Sequence, residues 1–189
     1  IPPDVLVENA DALLGSEPVS VARAGAAPSA VKQMSQLLAA AKRPLILAGG
    51  GAIDAAPELT RLAETLGAPV ALTINAKGML PGAHPLLIGS TQTLVATRAL
   101  VAEADVVLAI GTELAETDYD VTFAGGFEIP GALLRIDIDP DQTVRNYSPQ
   151  VALVADAQIA AAALLAELNN TPLPARDASW GPQRVARLW

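Results

Sequence analysis

The sequence predicts an α/β protein: a single doubly wound, Rossmann-like parallel-sheet domain with helices on both faces. Three observations lead there. Short apolar runs rich in Val, Ile and Leu alternate with amphipathic segments of helix length, the order of βα units. The first two runs lie about 25 residues apart, which suits a βαβ crossover. Hydrophobic residues make up 51% of the 189 while aromatics are only 3%. The interior is therefore built of Ala, Val, Leu and Ile, as where helices cover buried parallel strands.

Each element can be justified in order. Residues 1–28 (IPPDVLVENADALLGSEPVSVARAGAAP) are rich in Pro and small residues and read as a linker after the end of a preceding domain. Without an initiator Met, the chain is expected to be a piece of something longer. A helix is predicted from Ser29 (SAVKQMSQLLAAAK), with Val31, Met34, Leu37 and Leu38 on one face. Strand Leu45–Ala48, the triple glycine Gly49–Gly51 and a second helix follow. That helix has Pro57 in its first turn, an apolar stripe of Leu59, Leu62, Ala63 and Leu66, and Gly67 as its stop. Strand Val70–Thr73 leads into the loop NAKGMLPGAHPLLIGS and a helix from about Gln92 to Ala104. Strand Val106–Ile110 ends in Gly111, and a second long loop, ELAETDYDVTFAGGFEIPG, reaches strand Leu133–Ile138. A short strand, Val151–Val154, and the helix DAQIAAAALLAEL complete a domain over residues 29–168. Residues 169–189, polar and Pro-rich, read as another linker.

Composition excludes several function classes. The net charge of −8 and pI near 4.5 argue against nucleic acid, which needs a basic face, and against an anionic membrane surface. With no Cys, disulfides, thiolate catalysis and Cys-bound zinc are ruled out. The apolar stretch Ala157 to Leu168 is too short to span a bilayer. No signal-peptide pattern is visible, and a cytoplasmic location is expected. His84, in PGAHP, is either a ligand contact or a structural loop residue. Glu113, Glu116, Asp118 and Asp120 lack regular ligand spacing, so a solvated face competes with a metal site. There is no G-x-S-x-G elbow, and no side chain stands out as a nucleophile or a paired acid and base.

Gly49–Gly51 carry the most informative ambiguity. GGGAID matches the first two glycines of G-x-G-x-x-G and has Asp54 in place of the third. Bare backbone at that turn could approach a phosphate at a helix N-terminus. Equally, glycine could simply permit a tight turn from strand to helix. The ribose-binding acid expected about 20 residues on is missing. In a doubly wound sheet ligands sit beyond the carboxyl ends of the strands. Gly49–Gly51, Thr73–Asn75, Gly111–Thr112 and Asp137–Asp139 should therefore converge.

Taken together, the segments resemble the central domain of the thiamine-diphosphate-dependent acetolactate synthase, pyruvate oxidase and benzoylformate decarboxylase family. IPPDVL resembles the last strand of that family's pyrimidine-binding domain, and RPLILAGGGA the first strand and glycine turn of its central domain. APVALTINAKGMLPGAHPLLIG is similar to the family's strand and KG-x-x-P-x-x-HP loop. ADVVLAIGTEL, LLRIDIDPDQTVRN and VALVADA resemble the strands that follow. The likeness runs from Ile1 to about Leu168. It implies a parent enzyme, a thiamine-diphosphate- and Mg2+-dependent 2-oxo-acid decarboxylase or carboligase, that is, a lyase or transferase. The catalytic Glu and the Gly-Asp-Gly…Asn-Asn metal motif belong to the family's other two domains, so the fragment alone is expected to be inactive. Its implied partners are the flanking domains, with a 2-oxo acid as the parent's substrate and a homo-oligomeric parent.

In flavin-binding members, the resemblance implies, FAD lies along these strand ends. Gly49, Gly50 and Gly51 would approach it through backbone, and Thr73, Ile74, Gly111 and Thr112 would line it. Asp137 and Ile138 would hold the adenosine end, with Asp156 nearby. Glu113 departs from the pattern, standing where flavin-binding acetolactate synthases carry Arg. The resemblance thus leaves FAD, an ADP-like ligand or neither in the cleft. The alternative to a central domain is a free-standing Rossmann-like nucleotide-binding or electron-transfer module.

Overall fold

A computed structural model of the chain describes residues 2–8, 19–115, 126–177 and 179–188. The helices among them are α1 (Pro3–Leu6), α2 (Pro28–Ala40), α3 (Ala56–Leu66), α4 (Val95–Glu103), α5 (Ala157–Asn169) and α6 (Pro182–Ala186). The strands are β1 (Pro44–Ala48), β2 (Val70–Leu72), β3 (Leu87–Gly89), β4 (Val106–Ile110), β5 (Ala132–Asp137) and β6 (Val151–Val154). All six strands are parallel and lie in the order β3-β2-β1-β4-β5-β6. This is the doubly wound α/β sheet expected. Its switch point falls between β1 and β4, where the chain begins to run in the opposite lateral direction.

Strands β1 and β4 are buried at every residue, as central parallel strands covered on both faces must be. Their alternate side chains feed two cores. Ile46 and Ala48 point with Leu72, Leu108 and Ile136 toward α2, α3 and α5. Leu45 and Leu47 point with Ala71, Val107 and Leu133 toward Leu100 and Val101 of α4 and toward Trp180 and Val185 of the tail. Edge strand β6 alternates buried with exposed residues.

Local signals set the helix ends. Pro28 opens α2 and Pro57 sits in the first turn of α3, positions where a missing N–H costs nothing. Gly67 closes α3 at φ +59°, the left-handed stop that suits glycine. Asp156 caps α5, its Oδ1 accepting from the N–H groups of Gln158 and Ile159 at 3.0 and 3.1 Å.

Four expectations need correction. IPPDVL is not a strand: Pro3–Leu6 form one helical turn, there being no described strand beside it to complete a ladder. The loop from Asn75 to Ser90 contains strand β3, only three residues long, which pairs with β2 across a register shift. Helix α4 begins at Val95 rather than Gln92, because Thr91 to Leu94 close a turn through Leu94 N–H to Thr91 C=O at 2.9 Å. The stretch after α5 is not a loose linker. Trp180 is buried and its indole N–H donates to Pro44 C=O at 2.8 Å. Arg176 donates to Leu38 and Ala41 C=O, both at 3.1 Å, occupying carbonyls at the α2 C-terminus. Arg184 pairs with Glu103 of α4 through two bonds of 2.7 and 3.1 Å.

Candidate functional site

The switch point opens into a cleft of about 340 Å³, lined by Gly49, Gly50, Gly51, Thr73, Asn75, Gly111, Thr112 and Glu113. That volume is at the small end of ligand pockets, which run from about 300 to 1,000 Å³. Register brings the two glycine loops together. Ala48 pairs with Ile110, so Gly49 and Gly111 leave adjacent strands side by side. Gly49 N–H donates to Ile110 C=O and Gly51 N–H to Gly111 C=O, both at 3.0 Å.

The glycines are demanded by this crossing. A Cβ on Gly49 would lie 2.2 Å from Gly111 O, and one on Gly111 would lie 2.5 Å from Ala52 N. Gly111 also sits at φ +57°, which glycine adopts at little cost. A 3₁₀ segment, Gly50–Ala55, separates the turn from α3 proper, which begins at Ala56.

Beyond β4 the backbone is held unusually firmly. Leu114 is buried at φ +49°, a conformation that a bulky residue keeps only where its surroundings over-determine it. Its N–H donates to Thr112 Oγ1 at 3.3 Å, and its C=O accepts from Asn146 Nδ2 at 3.0 Å. Arg135, on β5 and 1% exposed, donates to Thr112 C=O at 2.9 Å and also to Arg145 C=O. Between buried Thr112 and buried Leu114, Glu113 is exposed to the cleft.

Of the residues anticipated from the sequence, Gly49, Gly50, Gly51, Thr73, Gly111 and Thr112 share the cleft. Ile74 is exposed and outside the lining. Asp137, the last residue of β5, and Ile138 after it are not among the lining residues; the Asp137 carboxylate accepts from Asp139 N–H at 3.0 Å. Asp156 is engaged in capping α5 and in an ion pair with Arg23 at 3.4 Å. Asn75 joins the cleft because a 3₁₀ turn, Ile74–Ala76, follows β2. Its place at a strand end was the available signal, though no motif marked it.

His84 takes the structural role. Nδ1 accepts from Leu86 N–H at 3.2 Å, which leaves Nε2 to carry the proton toward Glu64 Oε1 at 3.3 Å. The loop is thereby fastened to α3. Glu116, Asp118 and Asp120 lie outside the described residues. Among those described, no group of three or more His, Asp or Glu side chains is arranged to hold a metal. No described helix is long and apolar enough to cross a membrane.

Strand order, a switch-point cleft and glycine loops define a doubly wound, Rossmann-like domain. More narrowly, the chain belongs to the thiamine pyrophosphate enzyme central-domain family, whose model matches residues 31–164. It is 41% identical over 159 residues to the probable 2-ketoarginine decarboxylase AruI of Pseudomonas aeruginosa, covering 84% of this chain and 27% of that protein. A probable acetolactate synthase large subunit from Methanocaldococcus jannaschii is 37% identical, covering 75% of this chain and 24% of its own length. Pyruvate oxidase of Lactiplantibacillus plantarum is 36% identical, with 75% and 23% covered. A solved structure from Mycobacterium smegmatis, provisionally assigned as a thiamin diphosphate-dependent enzyme, superposes with a TM-score of 0.68 at 26% identity. It aligns with 89% of this chain and 32% of its own. The chain spans about a quarter of the length of the curated relatives it matches.

Proposed function

We propose that the chain is the scaffold domain at the centre of a thiamine-diphosphate- and Mg2+-dependent 2-oxo-acid decarboxylase or carboligase, with the cofactor held by flanking domains. One observation carries this reading: a central-domain match over residues 31–164 in a chain that spans about a quarter of relatives named decarboxylase, synthase and oxidase. The cofactor supplies carbanion stabilisation for 2-oxo-acid chemistry. This domain contributes a sheet packed on both faces, with the ends of β1 and β4 joined by backbone hydrogen bonds. Decarboxylation of a 2-oxo acid is the favoured reaction, since the 41% identity is to a protein named as a probable 2-ketoarginine decarboxylase. A cytoplasmic homo-oligomer is the assembly that goes with it.

The test compares two proteins. A full-length enzyme carrying this domain should release CO2 from 2-oxo acids, and should lose that activity when thiamine diphosphate and Mg2+ are removed. The 189-residue chain should show no CO2 release and no heat on titration with the cofactor and Mg2+. Micromolar cofactor binding by the chain alone, about −8 kcal/mol, would overturn the scaffold assignment.

A further inference from the structure

We propose that the switch-point cleft excludes a nucleotide pyrophosphate, and that its two glycine turns form a loop-to-loop joint presenting Glu113 rather than a phosphate cradle. This goes beyond the scaffold reading: a bound FAD or ADP would be compatible with a scaffold, but these residues do not fit one.

A phosphate cradle needs several unspent backbone N–H groups converging on one point. Here Gly49 N–H is given to Ile110 C=O, Gly51 N–H to Gly111 C=O and Ala52 N–H to Gly49 C=O, each at 3.0 Å. Gly50 alone among the three glycines has an N–H with no backbone acceptor in the described residues. The free N–H groups of an α-helix N-terminus are displaced as well, because α3 starts only at Ala56.

Charge opposes a phosphate too. Among the described residues, Glu113 is the only charged one lining the cleft. The Arg135 guanidinium behind Thr112 is buried and directed at the Thr112 and Arg145 carbonyls, and residues 113–128 include no Lys or Arg in sequence. Nor is Glu113 free to swing away with its backbone. Its neighbours Thr112 and Leu114 are buried, Arg135 holds one carbonyl and Asn146 the other, and Leu114 is pinned in the left-handed region. The glycine pattern has a sufficient cause without any ligand, namely the space that Gly111 O and Ala52 N occupy beside Gly49 and Gly111.

The test reads the amides of this chain by NMR, so it can fail while the scaffold reading stands. In the ligand-free protein, Gly49 and Gly51 amides should exchange with solvent on the order of a hundredfold more slowly than Gly50, as buried bonded amides do. Titration with ADP and with FAD should give no saturable shift at Gly49–Gly51 below about 1 mM, a dissociation constant far weaker than that of a resident nucleotide. Glu113→Arg, an exposed substitution that leaves the joint intact, should bind ADP at least about tenfold more tightly. Saturable wild-type binding below about 100 μM, or fast exchange of Gly49 and Gly51, would overturn the proposal. A Glu113→Arg variant as indifferent to ADP as wild type would overturn the role assigned to Glu113.

Discussion

On one face of the sheet, α2, α3 and α5 lay apolar stripes over Ile46, Leu72, Leu108 and Ile136. On the other, α4 covers part of the surface, and Trp180 and Val185 of a polar tail cover more. The first face is held by many interchangeable aliphatic contacts spread over three helices. The second depends on a few individual anchors. An indole bonded to Pro44 C=O and an ion pair to α4 do there what helical periodicity does opposite, while Arg176 ties the start of the tail to the α2 carbonyls of the first face. Distributed burial ties a face to the cooperative core, so that a change there lowers the stability of the whole sheet. A strap fixed at single points can detach while the sheet beneath persists.

Truncating one anchor on each face is the most direct way to break this comparison. Trp180→Ala should cost about 3–5 kcal/mol in tail docking, and Leu62→Ala about 2–5 kcal/mol of global stability. The two variants should fail differently. Limited proteolysis of Trp180→Ala should cut within residues 171–188 and leave a protected remainder. Leu62→Ala should lower the cooperative melt without selective tail cleavage. Identical cleavage patterns for both would show that the tail and the sheet unfold together.

How much of this could be read beforehand divides along the same line. The helical face was legible because Val31, Met34 and Leu38, and again Leu59, Leu62 and Leu66, repeat with helical period. The strap was not, since Trp180 sits among Pro, Arg and Asp and gains its meaning only from Pro44, far off in sequence. The candidate cleft shows a similar split. Strand-end rules brought Gly49–Gly51, Thr73, Gly111 and Thr112 to one place. The reason for the glycines lay in a non-local contact between Gly49 and Gly111. Arg135 gave no signal at all: within LLRID it reads as one polar residue in a strand, and its burial beneath Thr112 and Arg145 is a tertiary fact.

A smaller effect sharpens the comparison on the helical face. Asp156 both caps α5 and meets Arg23, which also bonds Asp54 at 3.0 Å and Gln158 at 2.9 Å. Asp156→Ala removes the cap, a loss of about 1 kcal/mol. Asp156→Asn retains a capping oxygen and loses the charge, and should recover most of that stability in urea unfolding. Equal losses in both variants would shift the credit from the cap to the ion pair.

The smallest expected effect is the one with a pH signature, at the ion pair between the strap and α4. The hydrogen bonds from Arg184 hold the Glu103 carboxyl below its ordinary value of 4.5, against a partial opposing push from burial. Arg184 is correspondingly raised by the same hydrogen bonds. A carboxylate with a folded-state pKa below its unfolded value stabilises fully above the unfolded value, and the benefit is lost as pH falls through the folded one. The Glu103 side chain is 43% exposed, so solvent screening limits the pair to about 0.5 kcal/mol. Glu103→Gln should therefore melt slightly below wild type at pH 7, with the gap constant down to about pH 5 and closing in more acid solution. Added salt should narrow the gap at pH 7. A difference that persisted unchanged at pH 3 would mean that Glu103 acts through packing rather than charge, and the strap would then have one anchor fewer of the electrostatic kind.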